Sequence, residues 1–207
     1  MPIFMDRHDL KGVTAADIAA AHLKDLAIQD QYGVRYLTYW FDESRGTTFC
    51  LVDSPDKESA ERVHREAHGH IAGDVLEVPL AAVEAFLGRI HDPAPPPGQA
   101  HSRMDSGHRA ILFTDIVGST EMTARLGDRM ATELVRAHDS IVRRCLAACA
   151  GREVKHTGDG IMAVLPDATR GVDCAIRIQR EFRHYNQHSQ EPIHIRIGLD
   201  SGEPVEG

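Results

Sequence analysis

The hydrophobic positions change period along the chain, and the changes mark its elements. Ile3 to Arg7 is a short apolar-rich run and predicts a strand. Thr14-x-x-Asp17 is a helix-capping signal, and the helix it opens is expected to run to about Tyr32, with Gly33 at its C-terminal stop. Val34 to Phe41 is β-branched and aromatic, so it predicts a strand. Asp42-Glu43-Ser44-Arg45-Gly46 turns the chain into a second strand, Thr47 to Asp53. Ser54-Pro55 predicts the start of a second helix, with Pro55 at its first position and Gly69 at its end. A strand over Val75 to Val78 and a helix over Leu80 to Leu87 complete this half.

After a proline-rich interval the same grammar returns. Ala110 to Thr114 predicts a strand. Met130, Leu134, Ala137, Ile141, Cys145 and Ala148 recur at steps of three and four, so they predict a helix that Asp128 can cap and Gly151 stops. Val154 to Thr157 and Ile161 to Leu165 flank Gly158-Asp159-Gly160, which predicts a hairpin with Asp159 at its turn. Asp167 caps a further helix containing Val172, Ile176 and Phe182. Ile193, Ile195, Ile197 and Leu199 alternate with polar or small residues and predict a half-buried strand. The order βαββαβ in the first half is that of the ferredoxin-like α/β sandwich, an α+β fold.

The interval itself, His91 to Gly107, holds Pro93, Pro95, Pro96 and Pro97 and little that is apolar. It reads as a semi-rigid solvated linker over 91–107, between a domain at 1–90 and another at 108–207. Composition narrows the function classes. The net charge of −8 does not suit a phosphate-backbone partner, so no nucleic acid is expected. No apolar stretch approaches the roughly 20 residues needed to span a membrane, and the N-terminus lacks the apolar core of a signal peptide. A cytoplasmic location is expected. The cysteines, Cys50, Cys145, Cys149 and Cys174, form no C-x-x-C pair and read as buried reduced thiols.

Two places carry candidate chemistry. In Phe113-Thr114-Asp115-Ile116-Val117-Gly118-Ser119-Thr120, a carboxylate stands at a strand end, followed by a glycine and a hydroxyl-rich helix entry. Mg²⁺ prefers one or two carboxylates plus substrate phosphates, and a helix N-terminus favours anions. If the hairpin pairs beside that strand, Asp159 converges with Asp115 and a two-metal site results. Each aspartate alone is more often an ordinary turn or helix-entry residue; the two in order, with matching flanks, reverse that balance. The second place is the set His8, His22, His64, His68 and His70. His64 and His68 sit four apart on one helix, a spacing that presents two imidazoles to one metal. Ni²⁺ or another transition metal would suit them. A solvated histidine-rich helix face is the bland alternative.

The strings FTDIVGST, EVKHTGDGIMAVLP and IRIGLDSGEPVEG resemble three successive motifs of class III adenylyl and guanylyl cyclases, from about Arg109 to Gly207. The resemblance implies a ferredoxin-like palm for the second domain. Asp115 and Asp159 match the two metal-binding aspartates, and Ile116 the residue whose carbonyl also touches metal. Gly118, Ser119 and Thr120 match the triphosphate-binding turn, and Lys155 the lysine that reads adenine. It implies two Mg²⁺ or Mn²⁺ ions per site, ATP as substrate, cyclic AMP and pyrophosphate as products, and a homodimer in which metals and base are held by different protomers. Family members continue beyond the point matching Gly207, so the palm is expected to be C-terminally incomplete. The alternative is a weak or inactive cyclase remnant that binds metal or nucleotide as a dimer. In the first half, FMDRHDL, AHLKDLAIQDQYGVRYLTYWFDE and VHREAHGH resemble a family of small bacterial ferredoxin-like proteins with a nickel-binding member. That resemblance implies a metal-sensing or dimerising domain that could regulate the cyclase half.

Overall fold

Capping and periodicity place most elements where the sequence expects them. The computed structural model describes residues 1–93 and 105–203 and divides into two units, Met1–Gly107 and His108–Gly207. The first unit comprises β1 (Ile3–Asp9), α1 (Ala15–Ile28), β2 (Arg35–Asp42), β3 (Thr47–Asp53), α2 (Lys57–Ala67), β4 (Asp74–Glu77) and α3 (Leu80–Leu87). Its antiparallel sheet has the order β2-β3-β1-β4. Thr14 and Asp17 form the reciprocal capping box that starts α1, an arrangement whose loss typically costs about 1 kcal/mol. The α-helix ends at Ile28, earlier than predicted. Gln29–Tyr32 tightens into a 3₁₀ turn that Gly33 closes at φ 64°.

The start of α2 differs from the prediction. Asp56, not the Ser54-Pro55 pair, caps this helix by accepting the Ser59 N–H at 2.7 Å. Ser54 is buried, and its hydroxyl donates to the Asp56 carbonyl. A carboxylate that can accept from the first turn displaces a proline that only presets φ. Every residue of β3 is buried. Cys50 and Val52 face the core shared with Ile18, Ala60 and Val63. On the other side Trp40 is covered in part by Arg89, whose guanidinium lies 4.6 Å from the ring centroid, and by Gly107. Residues 94–104 of the predicted linker lie outside the described residues. Its described ends are tied down: Asp92 accepts from His22 at 2.9 Å, and the Asp105 carbonyl accepts the Phe41 N–H at 2.9 Å.

The second unit comprises β5 (Arg109–Ile116), α4 (Ser119–Ala148), β6 (Arg152–His156), β7 (Ile161–Leu165), α5 (Ala168–His188) and β8 (Ile195–Gly202). The strand order β6-β7-β5-β8 repeats that of the first unit. The two predicted helix starts, at Ser119-Thr120 and at Asp128, fall in one helical run broken at Gly127, where φ is 77° and ψ 162°. Asp167 caps α5 as expected, accepting the Arg170 N–H. Leu112, Ile116, Ile141, Val142, Cys145, Cys174, Ile178 and Phe182 share one core between the sheet and its helices. Ile193 is buried, whereas Leu199 is 38% exposed, so the predicted last strand is less covered than its alternation suggests. All four cysteines are free and buried. Among the described residues no helix is long and apolar enough to cross a membrane.

The hairpin between β6 and β7 closes through the Thr157 N–H donating to the Gly160 carbonyl at 2.9 Å. Gly160 is pressed against β5 so closely that an added Cβ would lie 2.0 Å from the Thr114 carbonyl oxygen. Backbone cannot yield there as a flexible side chain would, so the hairpin tip must lift. Gly160→Ala should destabilise the second unit by about 1–3 kcal/mol. Gly198→Ala, whose Cβ would first meet an atom at 4.0 Å, should leave stability nearly unchanged. Urea unfolding followed by circular dichroism checks both; equal midpoints for the two variants would contradict the packing described.

Candidate functional site

Two polar constellations stand out, one in each unit. In the second unit, Asp115 sits next to last in β5, on the sheet face opposite the helices. Along β5, Ala110, Leu112, Thr114 and Ile116 are buried, while Phe113 and Asp115 are exposed, the alternation a strand imposes. In antiparallel register, Phe113 pairs with Met162 of β7, and Met162 with Lys155 of β6. Asp115 pairs with Arg196 of β8. Residues directly paired share a face, so Lys155, Phe113, Asp115 and Arg196 all lie on the open face. The sequence did not single out Arg196; its register opposite Asp115 depends on a pairing between residues 81 apart in the chain.

The hairpin tip reaches the end of β5. The Ile116 N–H donates to the Asp159 carbonyl at 3.2 Å, and the Ser119 hydroxyl donates to Asp159 Oδ2 at 2.5 Å. The hairpin tip that carries Asp159 is thus tied through the backbone to the end of β5, next to Asp115. Gly118 adopts φ 68°, a left-handed turn that a side chain disfavours, and it directs the chain into α4. The Ser119 hydroxyl is spent on Asp159, so Ser119 braces the tip. Thr120 is exposed at the first turn of the helix, the end where the dipole favours anions. The donors gathered here are carboxylate and carbonyl oxygens, which fit Mg²⁺ or Mn²⁺.

In the first unit, His64 of α2 lies at the centre of a buried charged cluster. Its Nε2 is 2.8 Å from Asp6 Oδ2 on β1, and its Nδ1 is 3.1 Å from Asp25 Oδ1 on α1. His8 Nε2 is 3.2 Å from Asp6 Oδ1, and His68 Nε2 is 3.3 Å from Asp25 Oδ2. Two groups of donors lie within metal-chelating reach: Asp6, His8, Cys50 and His64, then Asp25, His64 and His68. The two groups share His64. Asp6, Asp25, His8 and His64 are each at most 3% exposed, and isolated charges at such depth would be costly. They compensate one another. Burial pushes the Asp6 carboxyl up, but His64 and His8 outweigh it and hold the group well below its ordinary 3.8. Burial pushes His8 down, but the hydrogen bond and charge of Asp6 raise it from 6.5 to about 10. His64 is likewise held well above its ordinary value, by Asp6 and Asp25 against the cost of burial.

Of the five predicted histidines, the cluster takes in His8, His64 and His68. His22 and His70 stand outside both donor groups, though they line the same small cavity. The Nε2 of His22 is engaged by Asp92, and the His70 ring stacks on His68 at 4.9 Å. Asp6, Asp25 and Cys50 were missed. Asp6 was within reach, since it shares a strand face with His8 at spacing two. Asp25 and Cys50 join only through tertiary packing. The Nδ1 of His8 and Oγ1 of Thr48 are buried in the cavity wall without a hydrogen-bond partner among the described residues. Buried polar atoms are normally satisfied, so the cavity suits a polar guest. Imidazole, thiolate and carboxylate together fit a transition metal.

Comparison with known proteins agrees with this division. Residues 103–207 match the family described as Adenylate and Guanylate cyclase catalytic domain, and residues 4–78 match Nickel responsive protein SCO4226-like. An adenylate cyclase of Podospora anserina is 28% identical over 142 residues, 59% of this chain and 6% of that protein. The crystal structure of SCO4226 from Streptomyces coelicolor A3(2) aligns at 39% identity over 38% of this chain and 96% of that one, with a TM-score of 0.36. A bacterial light-regulated adenylyl cyclase aligns at 26% identity over 46% of this chain and 53% of that one, with a TM-score of 0.43. The chain therefore spans a small fraction of the fungal relative and about half of the bacterial cyclase.

The cluster makes the metal-free first unit sensitive to pH. His8 is raised on folding, so its contribution is complete below about pH 6.5 and is lost as pH rises through about 10. Asp6 is depressed, so its contribution is present above about pH 3.8 and is lost in acid. Stability should therefore be greatest between those limits and fall from pH 6.5 towards pH 10. Trp40, the single tryptophan, lies in this unit, so thermal melts read by its fluorescence follow it selectively. In Asp6→Asn the alkaline decline should flatten; an undiminished slope would show that Asp6 does not hold the His8 proton.

Proposed function

The chain belongs to the Adenylate and Guanylate cyclase catalytic domain family, and from that premise we propose that its second unit supplies the metal-binding part of a site that converts ATP to cyclic AMP and pyrophosphate. Asp115, the Ile116 carbonyl and Asp159 would hold two Mg²⁺ or Mn²⁺ ions. When bound, such ions activate the ribose 3′-hydroxyl and neutralise charge on the triphosphate. The Gly118–Thr120 turn offers the triphosphate a helix N-terminus. Ser119 keeps the Asp159 carboxylate oriented. Lys155, a donor exposed on the open face, suits the acceptor N1 of adenine and makes ATP the substrate. Metal ligands and base reader act in different halves of a homodimer, so each chain serves two sites. The observation that carries this reading is the bond from Ile116 N–H to the Asp159 carbonyl, which sets the second carboxylate beside the end of β5.

Purified chain incubated with Mn²⁺ and ATP should release cyclic AMP and pyrophosphate. Asp115→Ala and Asp159→Ala should each lower the rate by about 10²-fold or more, the scale lost when one preorganised charge partner is removed. Binding of Mn²⁺·ATP by the folded chain without turnover would replace this reading with that of a nucleotide-binding protein.

A second reading concerns the first unit, where we infer that a donor group around His64 binds one transition-metal ion, the shared ring serving one group at a time. The shared position of His64 supports it, as does the match of residues 4–78 to a nickel-responsive family. Protons now occupy imidazoles that a metal would need neutral, so binding should release protons and strengthen as pH rises. Titration of the chain with Ni²⁺ in a calorimeter, in buffers of different ionisation enthalpy, should give one site per chain with net proton release. His64→Ala should abolish that site. Equal Ni²⁺ binding by wild type and His64→Ala would sink the assignment.

A further inference from the structure

Behind the end of β5 a line of polar side chains runs through what is otherwise apolar core. His138, on α4, is fully buried. Its Nδ1 lies 3.0 Å from Asp139 Oδ1, and its Nε2 lies 3.1 Å from Thr114 Oγ1. Thr114 Oγ1 also accepts the Ile161 N–H at 3.0 Å. The other oxygen of Asp139 is 2.9 Å from His156 Nε2, and His156 Nδ1 accepts the Gly158 N–H at 3.2 Å. Arg143 adds a cation 3.5 Å from Asp139 Oδ2.

The proton positions follow from donor and acceptor chemistry. An ionised carboxylate only accepts, so both histidines donate to Asp139. Burial lowers the His138 pKa even against the pull of Asp139, so His138 is neutral and its Nε2 accepts. Thr114 must then donate to His138 while accepting from Ile161. The line is complete, with each donor facing an acceptor. It begins at the amide of Gly158 and ends at the amide of Ile161, which bracket Asp159 and Gly160. It passes through Thr114, the neighbour of Asp115. Leucine and valine would fill the buried positions of Thr114 and His138 without the desolvation cost of polar groups. What the polar line adds is a fixed position for both ends of the hairpin tip.

We propose that Thr114, His138, Asp139 and His156 are positioning residues that hold the Asp159 tip in register with Asp115. The consequence for metal binding rests on the role given above to the two aspartates. Outer partners of this kind typically change metal affinity 10- to 100-fold when removed.

The test uses the full chain, with Mn²⁺·ATP affinity and amide hydrogen exchange measured together. Thr114→Val keeps the side-chain shape and removes the hydroxyl; Thr114→Ser restores it. Thr114→Val and His138→Leu should speed exchange at Ile161 by about tenfold or more and weaken Mn²⁺·ATP by about 10- to 100-fold, while α5 amides stay protected. Thr114→Ser should return both values to within about threefold of wild type. The Thr114 pair decides the matter should His138→Leu fail to fold. Wild-type exchange and affinity in Thr114→Val, alongside lost binding in Asp159→Asn, would overturn the positioning role and leave the metal role standing. Wild-type binding in Asp159→Asn would overturn the metal role instead, and exchange at Ile161 alone would then decide whether the line fixes the tip.

Discussion

The second unit depends on one close approach, that of Gly160 to the Thr114 carbonyl. An excursion of more than 40 residues through α4 and β6 separates them, yet no side chain fits between. With the backbones this near, the Ile116 N–H reaches the Asp159 carbonyl and the Ser119 hydroxyl reaches its carboxylate. A β-hairpin tip alone would be mobile. Here its two flanking amides are bound to side chains, that of Gly158 to His156 on β6 and that of Ile161 to the buried Thr114 on β5.

The first unit meets an electrostatic constraint of a different kind. Its sheet is covered on both sides, so the acidic groups Asp6 and Asp25 have no water to face. His8 and His64 compensate them, and protons stand where a metal cation could stand. Breaking one member of such a buried set leaves an uncompensated charge, typically a loss of several kcal/mol. Exchange of protons for a metal keeps the charge balance while changing the geometry around His64. On the proposed reading the same residues would hold the fold together without metal and bind it in exchange for protons.

Much of this architecture was legible along the chain, because periodicity and capping are local. The capping box at Thr14, the glycine stop at Gly33, the Asp167 cap and the hairpin around Asp159 all appear where short-range chemistry puts them. The helix start at Asp56 was misread because a serine–proline pair offers a signal of the same form. Of the polar sites, the motif-borne residues from Asp115 to Thr120 were visible, whereas Arg196, Thr114 and His138 were not. Thr114 reads as a strand residue and His138 as one more helix position; only the packing of α4 on β5 makes them partners. Asp25 and Cys50 were hidden for the same reason. Histidine spacing drew attention to His64 and His68, but His22 and His70 shared the composition without sharing the donor groups.

The two units have the same βαββαβ order and the same strand order, yet they place their chemistry in opposite locations. The cause is what covers the sheet. In the first unit every residue of β3 is buried, so polar groups can gather only between sheet and helices, and a small, dry, charge-balanced cavity results. In the second unit Phe113, Asp115, Lys155 and Arg196 lie on a face that the unit's own helices do not cover. Such an uncovered face has room for a large ligand, as the proposed nucleoside triphosphate would be. A site of the first kind selects by donor type and coordination geometry. A site of the second kind must be finished by whatever closes over the open face, a part that the proposed homodimer would play over the side of the sheet where the register sets Lys155 and Asp115.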